Sequence, residues 1–195
     1  MNVESLYNSY IHKRVVFVKH NFVEKMKEKK VILVDENDVP RGTMEKMEAH
    51  KKGELHRAFS IFVFNSKGEL LLQRRTMDKY HSGGLWTNTC CSHPQPEEIF
   101  QESVHKRLNE EMGFSCELKS VFHFIYKAEL DNGLTEHELD HVFIGYYNED
   151  PKINIQEVAE WKYMSVPDIQ QNMRLYPTLY TAWFKIILAR VLKYI

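Results

Sequence analysis

Two apolar runs, Phe59–Asn65 (FSIFVFN) and Glu69–Arg75 (ELLLQRR), are separated only by Ser66-Lys67-Gly68. Runs this rich in aromatic and aliphatic residues, joined by so short a glycine-bearing link, read as a β-hairpin. Any fold for this chain has to contain that hairpin. Before it, Val31–Asp35 (VILVD) reads as a short strand leading into the turn-rich Glu36–Gly42. After it, Met77–Trp86 reads as a loop. Pro96–Met112 then sets Ile99, Val104, Leu108 and Met112 at helical spacing and stops at Gly113. Cys116–Ala128 and Leu139–Tyr147 read as strands about a turn at Asp131-Asn132-Gly133, and Glu160–Met164 as another strand. Val166–Asn172 and Thr178–Ile195 read as closing helices. Strands, helix, strands, helices in that order favour a mixed α/β (α+β) sandwich over a doubly wound parallel sheet.

The chain has 195 residues, enough for one domain and an extension. Residues 1–30 carry a basic, irregularly amphipathic pattern and read as a helical N-terminal extension, with the domain over 31–195. Lys+Arg is 26 and Asp+Glu 27, a net charge of −1, which argues against a general nucleic-acid binder. No apolar run reaches the ~18 residues a membrane span needs, so membrane insertion is not expected. The first twenty residues lack a signal-peptide pattern. Three cysteines, Cys90, Cys91 and Cys116, two of them adjacent, make a disulfide framework unlikely and fit a reducing, cytoplasmic setting.

Ten histidines are about twice the number an average chain of this length would carry. His50 and His56 flank the polar stretch Lys51-Lys52-Gly53-Glu54, and His93 closes Trp86-Thr87-Asn88-Thr89-Cys90-Cys91-Ser92-His93-Pro94. In Glu136-His137-Glu138 an extended backbone turns both carboxylates to one side and His137 to the other. Paired carboxylates repel unless a cation or shared proton neutralises them, and His with carboxylate suits Zn²⁺, Mn²⁺ or Mg²⁺. His12, His20, His81, His105, His123 and His141 read as ordinary surface or hydrogen-bonded residues.

Residues 92–114 carry most of a Nudix-type box, Gly-x5-Glu-x7-Arg-Glu-U-x-Glu-Glu-x-Gly-U, where U is aliphatic or aromatic. Ser92 takes the glycine position, Glu98 the first glutamate, and Leu108, Glu110, Glu111, Gly113 and Phe114 match. Lys106-Arg107 replace Arg-Glu. Helix glutamates in such a box hold Mg²⁺ against a diphosphate. The altered pair suggests that metal and diphosphate binding survive while the hydrolytic arrangement does not.

Together with Gly42–Lys46, Leu55–Ser60, Gln73-Arg74-Arg75 and Trp183-Phe184, these segments resemble the type 1 isopentenyl-diphosphate isomerase family of the Nudix-like fold. The resemblance runs in order from about residue 31 to the C-terminus. It implies interconversion of isopentenyl and dimethylallyl diphosphate by addition of a proton at one carbon and removal at another. It implies a metal site of His50, His56, His93, Glu136 and Glu138 for one Mn²⁺, Zn²⁺ or Mg²⁺. It further implies a Mg²⁺ on Glu111, with the Cys91 carbonyl, that accompanies the substrate diphosphate. Cys91 and Glu138 would handle protons on opposite faces of the alkene, with Tyr126 beside the carboxylate. The Cys91 thiol lies beside His93, where thiolate character could be tuned. Lys46, Arg75, Lys79 and Arg107 would contact phosphate oxygens. Trp183 reads as part of the closing helix. The expected partner is an isoprenoid diphosphate, with the chain a monomer or homodimer. A Nudix-type pyrophosphohydrolase is the alternative activity, and a catalytically inert diphosphate-binding module the third reading.

Overall fold

A computed structural model gives the fold and describes residues 29–195. The expected N-terminal extension lies outside the described residues up to its last two positions. The hairpin is present: β3 (His56–Phe64) turns into antiparallel β4 (Glu69–Arg75), with Phe64 opposite Leu70. Along one edge of β3, β8 (Thr135–Tyr146) runs parallel from His56/Glu138 to Phe64/Tyr146. The other edge is shared in turn by β1 (Lys30–Val34), β6 (Cys90–Ser92) and β4. Outside these, β2 (Pro40–Glu45) pairs β1, β7 (Leu118–Glu129) pairs β8, and β5 (Trp86–Thr87) and β9 (Val158–Ser165) pair β4, all antiparallel. One parallel pairing among antiparallel ones makes this the mixed sheet the sequence pattern favoured.

β3 is almost wholly buried because both its faces are covered. Phe59, Ile61 and Val63 pack with Val104, Leu108 and Met112 of α2 (Phe100–Met112). The alternating Phe62 and Phe64 pack with Trp183, Phe184, Ile187 and Leu188 of α4 (Ala182–Val191). α3 (Val166–Leu175), opened by Pro167 and a Ser165 cap, follows β9.

Several boundaries differ from the sequence expectation. β2 begins at Pro40, inside the stretch read as turn. A helix not anticipated, α1 (Lys46–Lys52), starts because the Glu45 carboxylate accepts from the Met47 and Glu48 amides, and it ends at Gly53 with φ 65°. α2 starts at Phe100 rather than Pro96, and ends at Gly113 (φ 72°), where a Cβ would strike the Lys152 carbonyl. β8 starts at Thr135 rather than Leu139, which brings Glu136-His137-Glu138 into the sheet. Pro177 opens a single tight turn, so the last helix starts at Ala182 rather than Thr178.

Candidate metal centre and active site

Four elements converge on one point. α1 presents His50, β3 opens with His56, β6 leads into His93, and β8 presents Glu136 and Glu138. One ligand atom from each of the five lies within 4.8 Å of every other. The convergence follows from pairing: His56 sits opposite Glu138, and β6 lies against β3 three residues further on. His50 Nδ1 is 2.7 Å from the Lys46 carbonyl and His56 Nδ1 2.8 Å from the Glu54 carbonyl. A carbonyl only accepts, so each Nδ1 carries the proton and each Nε2 offers a lone pair to the centre. His93 Nε2 lies 2.7 Å from Glu138 Oε1 and 3.2 Å from His56 Nε2. His50 Nε2 and Glu136 Oε2, 3.3 Å apart, are buried with no hydrogen-bond partner. Facing lone pairs and two buried carboxylates are costly without a cation. The donors therefore fit a divalent metal, and three neutral imidazoles with two carboxylates balance its charge. His137 bonds the Gly53 carbonyl on the other side, as strand alternation requires.

The second Glu138 oxygen, Oε2, accepts from Tyr126 Oη at 2.6 Å. Burial pushes the Glu138 carboxyl up, but its polar neighbours His56, Glu136 and Tyr126, the last donating its hydroxyl, outweigh it and lower the group to about 2. Cys91 on β6, opposite Ser60, packs against the α4-side core. Burial pushes its thiol up to about 12. Desolvation exceeds the pull of Arg75 there and favours the neutral thiol.

The cations fall into two groups. Lys46 and Arg75 lie by the metal centre: Lys46 Nζ sits 4.9 Å over the Tyr80 ring, which meets His50 edge-on, and Arg75 stands 5.3 Å over the Trp183 ring. Lys79 and Arg107 lie elsewhere, joined through Glu157. Lys79 pairs with Glu157, and Arg107 reaches Glu157 at 3.6 Å, Glu110 at 3.0 Å and Glu111. Glu111 is buried and also accepts from Gln73 Nε2 at 2.9 Å; the same amide donates to the Thr89 carbonyl at 3.0 Å. Gln73 thus ties Glu111 to the Thr89 carbonyl, and Glu111 is not among the five converging residues.

Four neighbours escaped the sequence reading. His81, set aside as ordinary, is buried with Nε2 3.3 Å from Glu136 Oε1. Trp183 belongs to the closing helix as expected, but it also turns its ring to His81 and Arg75. Glu157 links the outer cations. Asp140 is fully buried with neither side-chain oxygen hydrogen-bonded, and burial followed by the Glu138 charge push its carboxyl well above the carboxylate range. Only Asp140 had a signal: it continues the alternation of Glu136 and Glu138, legible once the strand starts at Thr135.

Residues 54–184 match the NUDIX domain family. A Deinococcus radiodurans crystal structure superposes with TM-score 0.68 at 14% identity, covering 83% of this chain and 98% of the other. The MutT protein of Methanosarcina mazei gives 0.57 at 23% identity, over 70% and 91%. Fold and site together define a Nudix-domain protein with a His₃Glu₂ centre. Among its relatives, the isopentenyl-diphosphate Delta-isomerase of Pectobacterium atrosepticum is 54% identical over 84% of this chain and 92% of its own length. The Photorhabdus laumondii isopentenyl-diphosphate Delta-isomerase 2 is 51% identical over 81% and 89%. The chain belongs to the isopentenyl-diphosphate Delta-isomerase family.

Proposed function

We infer that this chain is an isopentenyl-diphosphate Delta-isomerase, interconverting isopentenyl and dimethylallyl diphosphate, and we assign the chemistry to Cys91 and Glu138. An unactivated alkene is a poor base, and its protonation creates a tertiary carbocation. The site therefore needs a positioned proton donor, an acceptor across the substrate and a cavity from which water is excluded. Cys91 carries a proton to give, and the ionised Glu138 has a place to receive one. In one direction the thiol proton adds to the terminal alkene carbon, and Glu138 takes a proton from the carbon two positions along. The new double bond forms between the cationic carbon and the one that lost its proton. The reverse direction exchanges these roles. Tyr126 Oη, held on Glu138 Oε2, orients the carboxylate and offers its ring to the developing positive charge.

His50, His56, His93, Glu136 and Glu138 would hold the divalent ion, whose charge would stabilise the ionised carboxylates and fix Glu138. Zn²⁺, Mn²⁺ and Mg²⁺ all suit this donor set. Lys46, Arg75, Lys79 and Arg107 would take phosphate oxygens, and Glu111 with the Cys91 carbonyl would hold the Mg²⁺ that accompanies the substrate diphosphate. A free thiol at Cys91 suits a reducing, cytoplasmic setting.

The observation that carries this reading is the division of Glu138, one oxygen on the histidines and the other on Tyr126. Arg107, standing where the box of a hydrolase has glutamate, weighs against the pyrophosphohydrolase alternative. Isopentenyl diphosphate and Mg²⁺ in D₂O should give deuterated dimethylallyl diphosphate with no phosphate released. Phosphate release without isomerised product would overturn the assignment.

A further inference from the structure

Among the described histidines outside the five-residue centre, His81 alone touches it. It stands in the loop between β4 and β5 and is 4% exposed. Its Nε2 lies 3.3 Å from Glu136 Oε1, while Oε2 of the same carboxylate faces His50 Nε2 and has no hydrogen-bond partner. The carboxylate is thus divided: His81 occupies one oxygen, and the other is left for the centre. His81 Nδ1 is 3.2 Å from Ser82 Oγ. With the serine hydroxyl donating to Nδ1, the proton sits on Nε2 and points at Glu136.

The ring has little freedom. It stacks on His50 at 5.9 Å and meets Tyr80 and Trp183 edge-on at 4.3 and 5.7 Å. The backbone is pinned too. Arg75 Nη2 donates to the His81 carbonyl at 3.2 Å, and Ser82 adopts φ 51°. At Gly83 an added Cβ would stand 2.6 Å from the Met77 carbonyl. Nothing larger than glycine fits there without moving the loop that carries His81.

We propose that His81 is a positioning residue of the metal centre: outside the ligand set, it holds Glu136 so that Oε2 faces the ion. It does this from the same loop that anchors Arg75 and backs Trp183, so metal geometry and the substrate-facing groups are set by one segment. A carboxylate ligand without such an outer partner can rotate about its last bond and lose its aim, which typically lowers metal affinity about 10–100-fold. The proposal rests on reading the His₃Glu₂ cluster as a divalent-metal centre.

The test uses the full chain, stripped with chelator. It is titrated with Mn²⁺, followed by the electron paramagnetic resonance of the free ion, and with Co²⁺, followed by visible absorption. His81→Ala and His81→Phe should each weaken Mn²⁺ binding about 10–100-fold and alter the Co²⁺ bands. The phenylalanine variant keeps an aromatic ring in place and removes both ring nitrogens, Nε2 and the Nδ1 that meets Ser82 Oγ. His81→Gln, whose amide can reach the same oxygen, should recover most of the affinity. Wild-type affinity and bands in a folded His81→Phe overturn the proposal. His56→Ala separates the two readings: if it abolishes binding while His81→Phe does not, only the role of His81 falls. A wild-type chain that binds neither ion removes the centre and this role with it.

Discussion

The two charged regions of the site are built on opposite principles. At the His₃Glu₂ centre, buried lone pairs face one another, and His50 Nε2 and Glu136 Oε2 have no hydrogen-bond partner. In the outer region Lys79, Glu157, Arg107 and Glu111 alternate in sign along one chain of ion pairs. The first is incomplete without a cation. The second is neutralised by the protein itself, and in the proposed function a diphosphate would have to draw Lys79 and Arg107 away from Glu157. The difference follows from electrostatics: a buried set of acceptors cannot compensate itself, whereas long Lys and Arg side chains can swing to a local carboxylate until a stronger anion arrives.

Four experiments would break or sharpen that contrast, from the largest effect to the smallest. Chelator removal of the divalent ion should reduce isomerisation to background, with elemental analysis showing metal loss and readdition restoring activity. Glu138→Gln and Cys91→Ala should each lower kcat by about 10²–10⁴-fold while thermal unfolding stays close to wild type. Full activity in either variant would sink the assigned chemistry. Arg107→Leu should raise KM for the diphosphate about 10–100-fold, the worth of one or two charge-assisted hydrogen bonds, and leave metal content unchanged. An unchanged KM would show that the outer region is structural. Glu157→Gln should cost about 1 kcal/mol in urea unfolding, with KM moving only a few-fold, since it strips a counter-charge and no substrate contact.

Legibility differed between the two regions for the same reason. The ligand types were readable because local spacing exposes them: Glu136 and Glu138 alternate on a strand, and His93 follows the Thr-Asn-x-Cys-x-His-Pro segment. Their meeting was not readable from the residues alone, since His56 reaches Glu138 only through a parallel pairing that spans 82 residues of sequence. The family resemblance supplied that connection. Glu157 and His81 carried no local signal. One lies just before a short strand and the other in an irregular loop, where no periodicity says which way a side chain points. α1 escaped because its start is a glutamate cap rather than a pattern of apolar residues. The burial of Cys91 was not legible either, because the segments that cover it are distant in sequence, and desolvation there pushes the thiol up.

The sequence by itself determined the hairpin, the amphipathic helix that ends at Gly113, the mixed order of elements and the residue types that chemistry on a diphosphate requires. Those properties are local: they depend on alternation, helical period and side-chain chemistry over a few neighbouring positions. Tertiary structure alone decided that His81 meets Glu136, that Trp183 turns from its helix toward His81 and Arg75, and that the Cys91 thiol is desolvated. Each of these is a matter of burial and of contact between distant segments, and no window of neighbouring residues contains that information.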